Sequence, residues 1–200
     1  MATTTLEAPQ TAAQTTVETS WNIDAMHSSA HFSVKHMMIS NVRGVFKNLE
    51  SKLFLNSADV SKSYLEATIP ASTVSTGVDD RDAHLRSPDF FDTEKFPAMK
   101  FISKKFEQVA PGELKVTGLL TIKDVTKEVV LDVEGPTPEM KDPYGFTRVA
   151  LSGSTKISRK DFGLVYNAVL EAGGVMVGED VKITIDAEYT KVAATEHQQN

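Results

Sequence analysis

Strict alternation of apolar and polar residues constrains this 200-residue chain more than any other feature. Val181, Ile183, Ile185, Ala187 and Tyr189 are apolar, while Lys182, Thr184, Asp186 and Glu188 between them are polar. Strand side chains point alternately to two faces, so a period of two marks a strand with one buried and one wet face. The period recurs at Ala30, Phe32, Val34, His36, at Val42, Gly44, Phe46, and at Leu65, Ala67, Ile69. It returns at Leu114, Val116, Gly118, Leu120, Ile122, at Val129, Leu131, Val133, and at Val149, Leu151, Gly153, Thr155, Ile157. With Leu53 to Leu55 and Met99 to Phe101 added, about eight or nine strands result. Their links are short and carry Asn, Asp, Gly or Pro. One-sided alternation with short links predicts antiparallel pairing. A sandwich and a closed barrel both hide the apolar faces of such strands, and alternation leaves both open.

Gly44, Gly118 and Gly153 fall on the inward parity of their strands. Such glycines bend strands at barrel corners, or leave room for a guest. One segment, from Ser75 to Arg86, breaks the alternation and predicts a short helix. Thr76 and Asp79 have capping-box spacing, Asp82 and Arg86 form an i,i+4 pair, and Pro88 stops the helix. Phe90, Phe91 and Phe96 follow. They anchor the helix to one barrel end or gate an apolar interior.

The candidate chemistry is sparse. With no cysteine there is no disulfide, thiolate nucleophile or Cys-based metal site. His27, His31 and His36 invite a metal reading, but four residues of strand span about 13 Å, and His31 and His36 have opposite parity. No metal site is expected. His36 shares parity with Phe32 and Val34, which makes it a core histidine or a polar contact inside a ligand cavity. Asp24, His27 and Ser28 have the composition of a triad, but Asp24 and Ser28 read as turn formers before the strand, and no Gly-x-Ser-x-Gly elbow is present. No Gly-x-Gly-x-x-Gly fingerprint supports nucleotide binding. A net charge of −6 argues against nucleic acid as a partner.

Residues 1–19, rich in Thr, Ala and Gln, read as a disordered tail, and 193–200 as a shorter flexible one. The folded unit is expected over 20–192. No run approaches the roughly 18 apolar residues of a membrane span. No basic start precedes an apolar stretch, so the cytoplasm is the expected location.

Several ordered motifs are family-specific. They begin with Asp24-x-x-His27-Ser28, Phe32-Ser33-Val34-Lys35-His36 and Val42-Arg43-Gly44-x-Phe46. Ala71 to Gly77 and Arg81-Asp82-x-His84-Leu85-Arg86-Ser87-Pro88-Asp89-Phe90-Phe91-Asp92 follow, then Phe96-Pro97-x-Met99-x-Phe101. Gly118 to Ile122, Arg159 to Leu164 and Val177 to Val181 complete the series. Together they resemble the YceI-like family of polyisoprenoid-binding proteins, from about Trp21 to Val192. The resemblance implies an extended, lipocalin-like antiparallel β-barrel of about eight strands with one short helix near a barrel end. It also implies an elongated cavity for a long isoprenoid, such as a polyprenyl phosphate or a quinone tail, and no catalytic residues. The sequence departs from the family at Asp124, where Gly is usual, and at Glu128, where Pro is frequent. Asp tolerates the left-handed conformation, so the hairpin is expected to survive.

The expected lining is Phe32, Val34, His36, Val42, Phe46, Leu65, Met99, Phe101, Leu120, Ile122, Leu151 and Ile183. Arg81, His84 and Arg86 are the candidates for an anionic head group at the mouth. The leading expectation is non-enzymatic carriage, storage or sequestration of a long-chain lipid, with no other cofactor. Exposed strand edges allow a homodimer. The alternatives are an enzyme acting on a hydrophobic substrate through His36, His84 or Asp82, and a stress-response interaction module with a filled core.

Overall fold

The computed structural model describes residues 18–169 and 174–192. In chain order the strands are β1 (Glu18–Ile23), β2 (Ser29–His36), β3 (Ser40–Phe46), β4 (Glu50–Asn56) and β5 (Tyr64–Pro70). After them come the helix α1 (Asp79–Arg86) and the strands β6 (Ala98–Ala110), β7 (Glu113–Ile122) and β8 (Val125–Glu134). The last are β9 (Met140–Lys141), β10 (Thr147–Ser158) and β11 (Val177–Lys191). All pairings between strands are antiparallel.

Eight strands close a barrel in the order β11-β1-β4-β5-β6-β7-β8-β10 and back to β11. The key strand is β11, whose 15 residues span roughly 50 Å. Its last turns pair with β1, through Tyr189 opposite Ile23 and Lys191 opposite Trp21. Its first half pairs with β2, from Val181 opposite Val34 to Asp186 opposite Ser29. One long edge thus serves two short neighbours, and the β2–β3 hairpin extends the wall past the end of β1. β3 is tied on its far side by reciprocal bonds between Val45 and Ser75, each amide donating to the other's carbonyl at 2.9 Å.

β1 and β9 escaped the alternation analysis. The first lay partly inside the expected 1–19 tail, whose boundary moves because β1 begins at Glu18. Thr19 faces Leu55 across the ladder, so it belongs to the barrel wall. The rest of both tails lies outside the described residues.

The helix is shorter than its expected Ser75 start. Ser75 is drawn into an extended bridge with Val45, and helical geometry begins only after Val78, which makes no side-chain cap. No capping box forms between Thr76 and Asp79. Instead Asp82 Oδ1 accepts from the Thr76 amide at 2.7 Å and from its hydroxyl. The hairpin between β7 and β8 survives, pairing Ile122 with Val125. Its left-handed residue is Lys123 (φ 56°), the position before the expected Asp124.

Candidate functional site

Two buried clusters bracket the barrel interior. At one end Trp21, Leu53, Phe106, Val116 and Tyr189 pack into a floor with Leu114, Leu131 and Val133. At the other, Phe46, Val74, Met99, Ile122, Phe162 and Leu164 pack beneath α1. Between and beside them lies a cavity of about 580 Å³, inside the range of about 300–1,000 Å³ usual for small-molecule sites. Its wall runs from Phe106, Val133 and Tyr189 at the floor to Leu85, Phe90, Tyr166 and Met176 at the mouth.

The structure brings all twelve residues of the expected lining to this cavity. Phe32, Val34 and His36 come from β2, Val42 and Phe46 from β3, and Leu65 from β5. Met99 and Phe101 come from β6, Leu120 and Ile122 from β7, Leu151 from β10 and Ile183 from β11. Parity also extends the rows to Val116, Ile157, Ile185, Ala187 and Tyr189, which line the cavity as well. At the floor the Tyr189 hydroxyl and Ser51 Oγ lie 2.9 Å apart, and burial pushes the phenol up to about 12.

The inward glycines divide. A Cβ on Gly44 would lie 2.3 Å from Phe32 Cζ, and one on Gly118 would lie 2.4 Å from Phe101 Cζ. Those two seat phenyl rings of the cavity wall and leave no room for a guest. Gly153 does open space, because its added Cβ would meet only Val133 and Ile185 at 3.7 and 4.0 Å.

At the mouth, three rings converge. His84 lies edge-on to Phe90 at 5.1 Å and to Tyr166 at 4.7 Å between ring centres. Phe90 and Tyr166 are themselves 5.1 Å apart. His84 Nε2 stands 2.8 Å from Asp89 Oδ2. Arg81 lines the cavity and donates from Nε to Thr76 Oγ1 at 2.7 Å. Arg86 corrects the expectation. It is absent from the cavity wall and makes no ion pair with Asp82. Its guanidinium donates to the Ser72 and Val74 carbonyls, both at 2.9 Å, and straps the helix to the preceding chain. Phe91 joins Phe90 on the wall, and its ring meets Phe46 edge-on at 5.4 Å. Phe96 stays outside the cavity, under the Lys95 ammonium at 5.0 Å.

Sequence reasoning passed over Arg159 as a site residue. It is 3% exposed and lines the cavity near the mouth. Its guanidinium donates to the carbonyls of Gly178, Leu164 and Val177 and has no carboxylate in contact. Burial lowers its pKa, and the nearby Glu179 partly opposes that. A guanidinium has five N–H donors, so a buried cation with capacity for an anion stands beside an apolar tunnel. Asp82 is buried too. Burial raises its pKa, but the Thr76 hydroxyl and amide more than offset this, and the carboxyl ends below the usual range.

Asp24, His27 and Glu188 cluster at the floor end, with one ligand-type atom from each within 4.8 Å of the others. Arg148 already supplies the positive charge there. It contacts Asp24 at 2.6 Å, Asp142 at 2.7 Å and Glu188 at 2.5 Å. Asp24 Oδ1 also accepts from the Met26 amide, and Ser28 Oγ accepts from the Glu188 amide at 3.0 Å. These residues build a turn and its ion network, as their spacing suggests.

A closed antiparallel barrel around an apolar tunnel defines a class of hollow β-barrels with room for a small molecule. A model of the YceI-like domain matches residues 21–189, and the chain belongs to that family. A UPF0312 protein of Staphylococcus aureus (strain MSSA476) is 38% identical over 174 residues, covering 86% of this chain and 98% of that one. The Campylobacter jejuni YCEI protein superposes with a TM-score of 0.67 at 29% identity, covering 96% of this chain and 99% of the other. A polyisoprenoid binding domain from Saccharophagus degradans shares the fold, with a TM-score of 0.61 at 15% identity over 86% of this chain and 98% of that one. No helix among the described residues is long and apolar enough to cross a membrane.

Proposed function

We propose that this barrel binds one long apolar chain, a polyisoprenoid or a similar lipid, along its axis and without catalysis. The observation that carries the reading is a cavity of about 580 Å³, lined almost throughout by hydrocarbon and closed at the floor. A chain drawn into it gains roughly 0.8 kcal/mol for each CH₂ removed from water. Met99, unbranched and adaptable, suits an irregular guest. The likeness of fold to the polyisoprenoid binding domain of Saccharophagus degradans supports the ligand class. A charged head, where the ligand has one, is held at the mouth by Arg159 and Arg81, with His84 beside them. A polyprenyl phosphate and a quinone tail both satisfy this chemistry, and carriage, storage and sequestration are all served by it.

The cavity weighs against a filled-core interaction module. The enzymatic alternative loses one of its residues, because Asp82 accepts from both the amide and the hydroxyl of Thr76. Organic extraction of protein purified from its native host, followed by mass spectrometry, tests the proposal. A long apolar molecule at near one per chain is expected. Recovery of none, with no uptake of a dansyl-farnesyl probe by the same protein, sinks it.

A further inference from the structure

We infer that the tip of the β2–β3 hairpin, with the basic outer face behind it, docks the cavity mouth onto an anionic lipid bilayer. The inference rests on the proposed cavity ligand, whose apolar chain would be drawn from such a surface.

The tip is Met37-Met38-Ile39, with Met38 63% and Ile39 81% exposed. It stands at the mouth, because the Met37 amide donates to the Met176 carbonyl at 2.8 Å and His36 pairs with Val177. Met176, Val177 and His36 all line the cavity. Its backbone makes the apolar choice unexpected. The Ile39 amide closes the turn on the His36 carbonyl, and both central residues have positive φ, 50° at Met37 and 62° at Met38. A turn of this kind favours Asn-Gly, since any larger L-residue is strained there. Two methionines therefore occupy positions where folding alone prefers small polar residues. Strain kept on exposed apolar side chains points to use of those side chains outside the fold.

Charge supplies the partner. On the outward parity of this wall Arg43 and Lys182 both flank Ser33, and Lys35 follows toward the tip, where it reaches the rim of the cavity. All three are exposed, and none has an ion pair among the described residues. The acids at this end of β11 are already engaged, Glu179 with Lys160 and Asp180 with Lys156. Asp79 and Asp80 stand on the helix side of the same end, so the free positive charge lies on the hairpin side. On a chain of net charge −6, an apolar tip backed by unpaired cations fits an interfacial anchor on anionic lipid.

Vesicle sedimentation with the full chain tests this. Mixed phosphatidylcholine–phosphatidylglycerol vesicles should pellet the protein, and phosphatidylcholine alone or high salt should release it. Met37→Asn with Met38→Gly and Ile39→Ser should weaken pelleting by about tenfold or more while raising the melting temperature by about 2–4 °C. A gain in stability with a loss of docking separates the role from simple unfolding. Arg43→Glu with Lys182→Glu should weaken pelleting by about thirtyfold. Uptake of dansyl-farnesyl from solution should be unchanged in both variants. Equal pelleting of the tip variant and wild type overturns the inference. So does a wild-type dimer that becomes a single chain in the tip variant, because a second copy then covers the tip. Wild-type protein that takes up the probe but never pellets overturns docking alone, whereas pelleting without probe uptake overturns the reading of the cavity.

Discussion

The two ends of the barrel are closed by different physics. At the floor, Trp21, Phe106, Leu53 and Val116 are each at most 2% exposed and pack as a solid apolar plug. Outside that plug, Arg148 binds three carboxylates contributed by separate parts of the chain. At the mouth, a buried cluster of Phe46, Val74 and Phe162 lies beneath α1, but closure above it depends on three half-exposed rings, a strap from Arg86 to two carbonyls, and the Thr76–Asp82 bonds. Few of those contacts exclude water completely. Regions with few buried apolar contacts open at low free energy, while tightly packed ones open only with global unfolding. The difference makes the floor the seat of stability and the mouth the end that opens at lower free energy.

The largest expected effect comes from breaking the floor. Phe106→Ala removes a ring that is 2% exposed and lines the cavity bottom. Truncating a buried Phe costs about 3–5 kcal/mol, and in a domain of this size each kcal/mol is worth about 2–4 °C of melting temperature. Thermal unfolding should shift down by about 10 °C, and the tunnel should lengthen toward the floor. A melting point within a degree of wild type would show that the floor is not where stability resides.

Next in size is a contrast between two glycines of the wall. Gly118→Ala would place its Cβ 2.7 Å from the Ile102 carbonyl oxygen, which is backbone and cannot swing aside. Overpacking of this kind costs about 1–3 kcal/mol. Gly153→Ala meets only ordinary contacts and should stay within about 0.5 kcal/mol of wild type, while reducing affinity for a bulky probe. Equal melting curves for the two variants would contradict the cavity wall described above.

Legibility followed the same division between the ends. The period of two placed nine of the eleven strands and the twelve lining residues, because inward parity in a closed barrel means facing the tunnel. It missed β1, whose Trp21 and Ile23 alternate correctly but adjoin an apparently featureless tail. It missed β9 because two residues carry no period. The mouth was much less readable. Arg81 and Arg86 share a helix and a charge, yet one lines the cavity and the other holds carbonyls outside it. Five residues of helix turn the two side chains about 140° apart, so only one of them can face the interior, but the spacing alone does not say which. Arg159 reaches the mouth from a short 3-10 helix (Arg159–Phe162) and Tyr166 from the irregular chain after it, where no periodicity points inward or outward. The glycines were legible in parity but ambiguous in purpose, until ring positions showed that two are filled and one is open.

A smaller effect distinguishes the ion network from the plug beneath it. Arg148 holds the Asp24 and Asp142 carboxyls below the usual carboxylate range. A carboxyl lowered on folding contributes stability that is fully present above its unfolded value, about 3.9, and is lost as pH falls through the lowered value. Arg148→Met removes the cation and leaves Asp24, Asp142 and Glu188 close together. The variant should be less stable than wild type at neutral pH, and the gap should shrink as pH falls below about 4. Urea midpoints at several pH values read this directly. A gap that stays constant with pH would mean that Arg148 acts by packing alone.

The smallest effect on stability belongs to the mouth, and there kinetics are the sharper readout. Phe90→Ala removes one of three mutually packed rings, which are only half-buried. An aromatic pair is worth about 0.5–1.5 kcal/mol beyond its buried area, so the melting point should move by only a few degrees. Release of a dansyl-farnesyl probe should accelerate about tenfold, since the loss falls mainly on the off-rate of a ligand held behind the rings. Phe106→Ala should reverse the order, with a large loss of stability and little change in release rate beyond that of a longer tunnel. If Phe90→Ala melts as early as Phe106→Ala and releases no faster than wild type, the two ends are equivalent, and the mouth is simply a second floor.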